Sequence, residues 1–229
     1  MTQKQTMASA TRRPDFIGTC NVRGEISFYG ATAAEIDRSA FTLTRVLRTF
    51  GFAPGSNILT ISMVPEIIQY GGFERAVQML GLYGLNADDS LFDAGRVESI
   101  SRQFNPAAIC GVAASTLEGL RMFGHDVATV FAGRTVWARP DAFEQVSAMA
   151  DVDARRVVSI GPVLALECAH GSLHYDSRDW TIVARDGVLR LTSRYNRIEP
   201  LDDLDTGHCG SVSVAPCTCG TRDGVVVLA

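Results

Sequence analysis

Residues 58–84, ILTISMVPEIIQYGGFERAVQMLGLYG, decide the fold. The first seven residues are uncharged and largely apolar or β-branched, which suits a buried strand. "GGFERAVQMLGLYG" follows and reads as a helix, opened by Gly71 and Gly72 and closed by Gly81 or Gly84. A buried strand running into a helix is the start of a parallel-sheet unit. The pattern then repeats. "DDSLFDAGRVESISRQF" (88–104) reads as helix, "AAICGVA" (107–113) as strand and "STLEGLRMFGHD" (115–126) as helix. "VATVFAG" (127–133) reads as strand, "RPDAFEQVSAMADV" (139–152) as helix and "RVVSIG" (156–161) as strand. This alternation predicts a mostly parallel sheet flanked by helices. Upstream, residues 31–50 carry apolar side chains at helical spacing, and Thr32 with Glu35 fits a capping box.

After Gly161 the pattern changes. "SLHYDS", "WTIVARDG", "VLRLTSRYNRI" and "GVVVLA" are strand-like pieces separated by turns, with no helix among them. The expected organisation is a disordered leader over 1–14, an α/β core over 15–161 and a β-rich, zinc-binding section over 162–229.

A net charge of -4 offers no footprint for nucleic acid. No apolar run is long enough to span a membrane. The polar start of the chain lacks the apolar region of a signal peptide, so a cytoplasmic location is expected. In that compartment thiols stay reduced, and cysteines serve as metal ligands, core residues or nucleophiles. Two of the six sit one residue apart in "APCTCGTRDG", Cys217 and Cys219. "LECAHGSLHYD" supplies Cys168, His170 and His174. Thiolate and imidazole on tight turns suit tetrahedral zinc. The preferred set is Cys168, His174, Cys217 and Cys219, with His170 as the rival for His174. Four protein ligands would close the shell, which makes the ion structural.

"GPVLALECAHGSLHYDSRDWTIV" followed by "TGHCGSVSVAPCTCGTR" resembles the phenylacetate–CoA ligase branch of the adenylate-forming enzymes. The shared features are a Glu-Cys pair, a Leu-His at the head of a strand and a later Cys-x-Cys-Gly. "GFAPGSNILTISMV" is similar to the family's Gly-x-x-Pro-Gly-Asp strand, and "FNPAAICGVAASTLEGL" to its Lys-Pro-Thr-x-x-x-Gly-x-Pro-Ser segment. The resemblance covers roughly residues 17–221. It implies the central part of a ligase N-terminal domain, with zinc held by such cysteines and histidine. It also implies an acyl or aryl pocket behind the glycine-rich turn, lined by Tyr70, Gly71, Gly72, Phe73, Gly111, Ala113 and Ser115. Core and turn packing is the competing reading for each of these.

The departures fall on the nucleotide site. The family cradles ATP phosphates in a Ser/Thr/Gly-rich loop ending in Lys. The aligned stretch here is "GTCNVRGEIS", Gly18–Ser27, and Glu25 would repel phosphate. Where the family places a magnesium-binding glutamate, "SIGPVLAL" has Leu164. Where it places a ribose-binding aspartate, "TGH" has His208, which cannot accept both ribose hydroxyls as a carboxylate does. Nothing in these 229 residues corresponds to the mobile domain that carries the family's catalytic lysine.

The expectation is therefore a repurposed ligase fold that does not use ATP or magnesium. It would act on a CoA- or carrier-linked acyl or aryl thioester by cyclisation, acyl transfer or hydrolysis. Candidate catalytic residues are Glu66, in an apolar run, and His208 with Cys209 at the former nucleotide position. Cys20 reads as a buried, inert thiol. Two alternatives stand beside this. One is a non-catalytic scaffold that forms a homo-oligomer or completes a biosynthetic partner enzyme. The other is a residual acid–CoA ligase whose lysine domain comes in trans.

Overall fold

The computed structural model describes residues 13–213 and 215–229; most of the expected leader lies outside the described residues. The chain opens with a hairpin, β1 (Phe16–Val22) and β2 (Glu25–Ala31), followed by α1 (Ala33–Arg48). The capping box forms as expected: the Thr32 side chain accepts from Glu35 N, and the Glu35 carboxylate accepts from Thr32 N at 2.7 Å. Next come β3 (Asn57–Ile61), α2 (Ile67–Met79), β4 (Tyr83–Ala87), α3 (Ala94–Phe104), β5 (Ala108–Val112), α4 (Ala114–Met122) and α5 (Val127–Phe131). They are followed by β6 (Arg134–Ala138), α6 (Pro140–Ser147) and β7 (Val152–Ile160). Strands alone complete the chain: β8 (Val163–Glu167), β9 (Leu173–Tyr175), β10 (Trp180–Arg185), β11 (Val188–Ser193), β12 (Leu204–Ser213) and β13 (Gly224–Leu228).

Apart from the hairpin, the strands form one eleven-stranded sheet, ordered β10-β11-β12-β13-β9-β8-β7-β6-β5-β3-β4. The pairings among β4, β3, β5, β6 and β7 are parallel, and all those from β7 to β10 are antiparallel. The expected mostly parallel sheet is thus parallel over one part and antiparallel over the other. The reversal occurs at Gly161, whose φ of +58° lets β7 turn straight back into β8.

Alternation along the parallel strands separates two cores. Ile58, Cys110 and Trp137 face α1 and α2, whereas Leu59, Ile109 and Val136 face α3 to α6. Helices therefore cover both faces. Trp137 centres the first core: its ring meets Phe50 edge-on at 4.8 Å, and its indole N–H donates to Glu167 O at 2.8 Å.

Several local expectations change. "VATVF" is helix, not strand, because Asp126 caps it by accepting from Ala128 N, and Val127, Val130 and Phe131 then share one buried face. The strand lies just beyond, in "RTVWA". Helix α2 begins at Ile67, so Gly71 and Gly72 sit inside it and not at its start. Their missing side chains let α1 approach closely; a Cβ on either would press on Ile36 or Ser39. The helix stops at Gly81, and Tyr83–Ala87 forms β4. Helix α3 starts only at Ala94, after a turn capped by Ser90.

Candidate functional site

Parallel strands expose their carbonyl ends at one edge of the sheet, where ligands of open α/β folds bind. At this edge the loops after β3 and β6 meet the hairpin, α2, β7 and β12 around an open cleft of about 560 Å³. Arg139, the residue after β6, occupies its floor. Proline at the first position of α6 sets the residue before it in extended backbone.

The Arg139 guanidinium is bonded on every side. Nη1 donates to Glu66 Oε1 at 2.6 Å and Nη2 to Glu66 Oε2 at 2.8 Å. Nε donates to Gly111 O at 3.1 Å, and Nη2 reaches Ile61 O at 3.4 Å. Asp89 adds a second carboxylate at 3.5 Å and accepts from the Ser115 hydroxyl. The guanidinium also lies over the Tyr70 ring, 5.2 Å from its centroid. Burial alone would lower the Arg139 pKa. The bonds and charge of Glu66, helped by Tyr70 and Asp89, more than reverse that and raise it. Burial pushes the Tyr70 phenol well above its ordinary value, against the pull of Arg139.

The stretch aligned with a phosphate loop is the tip of the β1–β2 hairpin. Arg23 and Gly24 form its two-residue turn, with φ of +56° and +84°. The ladder continues to the Val22–Glu25 pair, so the flanking backbone is paired across the hairpin. Gly24 N donates to Asn21 Oδ1 at 2.8 Å. On the far wall His208 Nε2 lies 2.9 Å from Ser159 O. A carbonyl only accepts, so Nε2 carries the hydrogen and Nδ1 is left as the acceptor.

The expected site residues divide. Glu66, Tyr70 and His208 line this cleft, as does Cys20. Both Glu66 oxygens are engaged, Oε2 also by Met63 N at 2.9 Å. Cys209 neighbours His208 on β12 but points to the opposite side and is exposed. Gly71, Gly72 and Phe73 pack within the α1–α2 core. Gly111, at φ +97°, leaves room beneath Tyr70 and aims its carbonyl at Arg139; Ala113 is buried beside it. Ser115 binds Asp89. Arg139 goes unmarked at the level of sequence, because "RTVWA" does not read there as a strand. An arginine before proline at the carboxyl end of a parallel strand is the signal that marks it.

A second cluster lies away from the cleft. Cys168, His174, Cys217 and Cys219 bring their ligand atoms within 4.8 Å of one another and could hold a metal ion. His170 is exposed and stands outside the cluster. Tetrahedral zinc with Zn–S bonds of ~2.3 Å needs sulfurs about 3.8 Å apart. Cys168 Sγ and Cys217 Sγ are 3.7 Å apart, and Cys219 Sγ is 3.3 Å from His174 Nε2. His174 turns Nδ1 toward Asp223 O at 3.4 Å, the outer-shell contact that orients a ligating imidazole. Burial pushes the Cys168 thiol up to about 11. For Cys217, burial is outweighed by hydrogen bonds from Ser172 and Cys219, and the thiol falls to about 6.

No protein-family model matches the sequence, and no curated protein matches it. Solved structures do. 2-Hydroxyisobutyryl-CoA ligase in an open conformation, in complex with 2-HIB-AMP and CoA, aligns with a TM-score of 0.70 at 13% identity. The alignment covers 93% of this chain and 56% of the ligase. The fold resembles that of an adenylate-forming ligase. The same enzyme in its postadenylation state with 2-HIB-AMP gives 0.71 at 13% identity, covering 94% of this chain and 51% of that one. The chain spans about half the length of these ligases. Among the described residues, no helix is long and apolar enough to cross a membrane.

The Arg139–Glu66 pair is about four-fifths buried on both sides, so breaking it leaves a partly desolvated cation without its main partner. Glu66→Gln is expected to cost about 2 kcal/mol of unfolding free energy in urea titration. A loss below about 0.5 kcal/mol, the scale of an exposed pair, would contradict a clamp.

Proposed function

We propose that this chain is a ligase-derived enzyme that processes an acyl or aryl thioester, CoA- or carrier-linked, without ATP. The observation that carries the proposal is the state of the cleft. Its phosphate-loop stretch is a closed hairpin, and Arg139, its floor cation, has its donors committed to protein acceptors. Neither is organised to receive a triphosphate, whereas a cleft of this size accommodates a small acyl or aryl group. The similarity of the cysteine and histidine segments to the phenylacetate–CoA ligase branch favours that branch as the source.

In this reading His208 is the general base and Glu66 holds Arg139 in place. Nδ1 takes the proton of a water or acceptor hydroxyl as its oxygen bonds to the thioester carbonyl carbon. The C–S bond then breaks, and the proton passes to the departing thiolate. The expected result is release of free thiol from members of an acetyl-, benzoyl- and phenylacetyl-CoA panel without ATP, followed by chromatography. His208→Ala is expected to slow release at least ~100-fold. Failure to turn over any thioester would overturn the proposal. It would favour a scaffold role instead, which the exposed Ile26, Phe28 and Val64, at 76%, 79% and 82% exposure, also suit.

The four-residue cluster is proposed to hold zinc in a closed, structural shell. The donor set and its spacing support this. Elemental analysis is expected to find one zinc per chain. Cys219→Ser is expected to lose it and to lower Tm by about 5 °C or more. A metal-free protein melting at the wild-type temperature would exclude a structural ion.

A further inference from the structure

The eleven-stranded sheet ends at β10 on one side and at β4 on the other. A sheet edge leaves a row of N–H and C=O groups free, and proteins blunt it with charge, proline or a bulge. β10 has Arg185 as its last residue and Asp186 directly after it. β4, "YGLNA", has no charge and no proline, and it pairs with β3 in unbroken register from Tyr83 to Ala87. Among the described residues, no strand pairs with its outer side.

Two hydrogen bonds fix which groups of β4 point outward. Tyr83 N donates to Ser56 O at 2.9 Å, and Ala87 O accepts from Ser62 N at 3.1 Å, so both of these residues bond toward the β3 side. The bonding direction alternates from one residue to the next along a strand. Gly84 and Asn86 therefore aim their N–H and C=O groups away from β3, and both residues are exposed. The Asn86 side chain is held out of the way, its Nδ2 donating to Glu74 Oε1 at 3.0 Å. Large apolar side chains lie exposed beyond both ends of the strand. Met79, Tyr83 and Phe104 stand at its start, where Phe104 O accepts from Asn57, the residue paired with Tyr83. Phe92, 83% exposed, follows its end. Single exposed apolar residues are ordinary, whereas a group of them flanking a free edge marks an interface.

We infer that β4 is a self-pairing edge, to which a second copy of this chain adds its own β4, antiparallel, about a two-fold axis through Leu85. The occupant follows from symmetry. The outward groups sit at positions 84 and 86, evenly placed about Leu85. In this register Gly84 stands opposite Asn86 of the second copy, and the two residues exchange both N–H···O bonds. The axis repeats the pair, so all four outward donors and acceptors of each strand are used. A slip of one residue would set outward groups against inward ones. Like charges do not meet: Asp88, the first charge past the strand, falls opposite Leu82 of the second copy. The axis also carries Met79 and Tyr83 of one copy toward Phe92 of the other. Such an isologous contact is the commonest way for a chain to pair with itself. β4 contributes nothing to the cleft, so the inference is independent of the thioester reading.

Sedimentation velocity on the wild-type protein tests the assembly, and amide exchange followed by NMR tests its location. The expected mass at high concentration is twice that of the 24.7 kDa chain. Exchange at Gly84 and Asn86 is expected to slow as the concentration rises. Gly84→Pro removes an outward N–H and spares the bonds to β3, and the axis doubles the loss, so the dimer dissociation constant is expected to rise ~10-fold or more. Phe92→Glu changes only an exposed side chain and is expected to act in the same direction, with circular dichroism unchanged for both variants. A monomer at every concentration would overturn the inference. So would a dimer that neither variant weakens, which would pair through another surface. Protection of Gly84 and Asn86 that does not change with concentration would overturn it too, since this chain would then cover its own edge.

Discussion

The Arg139 guanidinium draws together segments that are far apart in sequence. It takes the carbonyls that end β3 and β5, the carboxylate that opens α2 and, through Asp89, the loop after β4. Where parallel strands end, free N–H and C=O groups would otherwise face a ligand or water. Here one side chain gathers them. Its geometry also requires Gly111, because a side chain at that position would strike the Ile61 carbonyl and crowd Tyr70. The edge that binds ligands in open α/β folds is thus braced from within, and the space left above it is walled by the hairpin and His208.

The Cys/His cluster that could hold a metal ion lies on the antiparallel side. Cys168 directly follows β8, His174 sits in β9, and Cys217 and Cys219 lie on the loop between β12 and β13. The outer layer continues the tie. Asp223, whose carbonyl faces His174, binds Arg45 of α1 through its carboxylate at 2.6 Å and 2.7 Å. The closed metal shell proposed above would fasten the last loop both to the sheet and to the helix covering it.

Much of this was legible from the residues. Short β-branched runs and the capping box located β3, β5, β7 and α1, and the thiol and imidazole spacing picked out the four residues that cluster and could hold a metal ion. What was not legible depended on context. "VATVF" has strand-forming composition but lies behind a capping aspartate, and local hydrogen bonding prevailed over propensity. Gly71 and Gly72 look like turn residues, yet they serve close helix packing. The strands β1, β2, β8 and β12 carry too little alternation to stand out, and "GTCNVRGEIS" draws attention as a degraded loop before it is seen as a hairpin. Arg139 gains meaning only from what surrounds it, as an arginine with its donors all spent.

The proposed loss of ATP use stands or falls on calorimetric titration of the purified protein with ATP and magnesium. A cleft that has lost its nucleotide contacts gives no heat of binding up to millimolar nucleotide. Saturable binding with a micromolar Kd, about −8 kcal/mol of binding free energy, would contradict it and restore an adenylating role to the site.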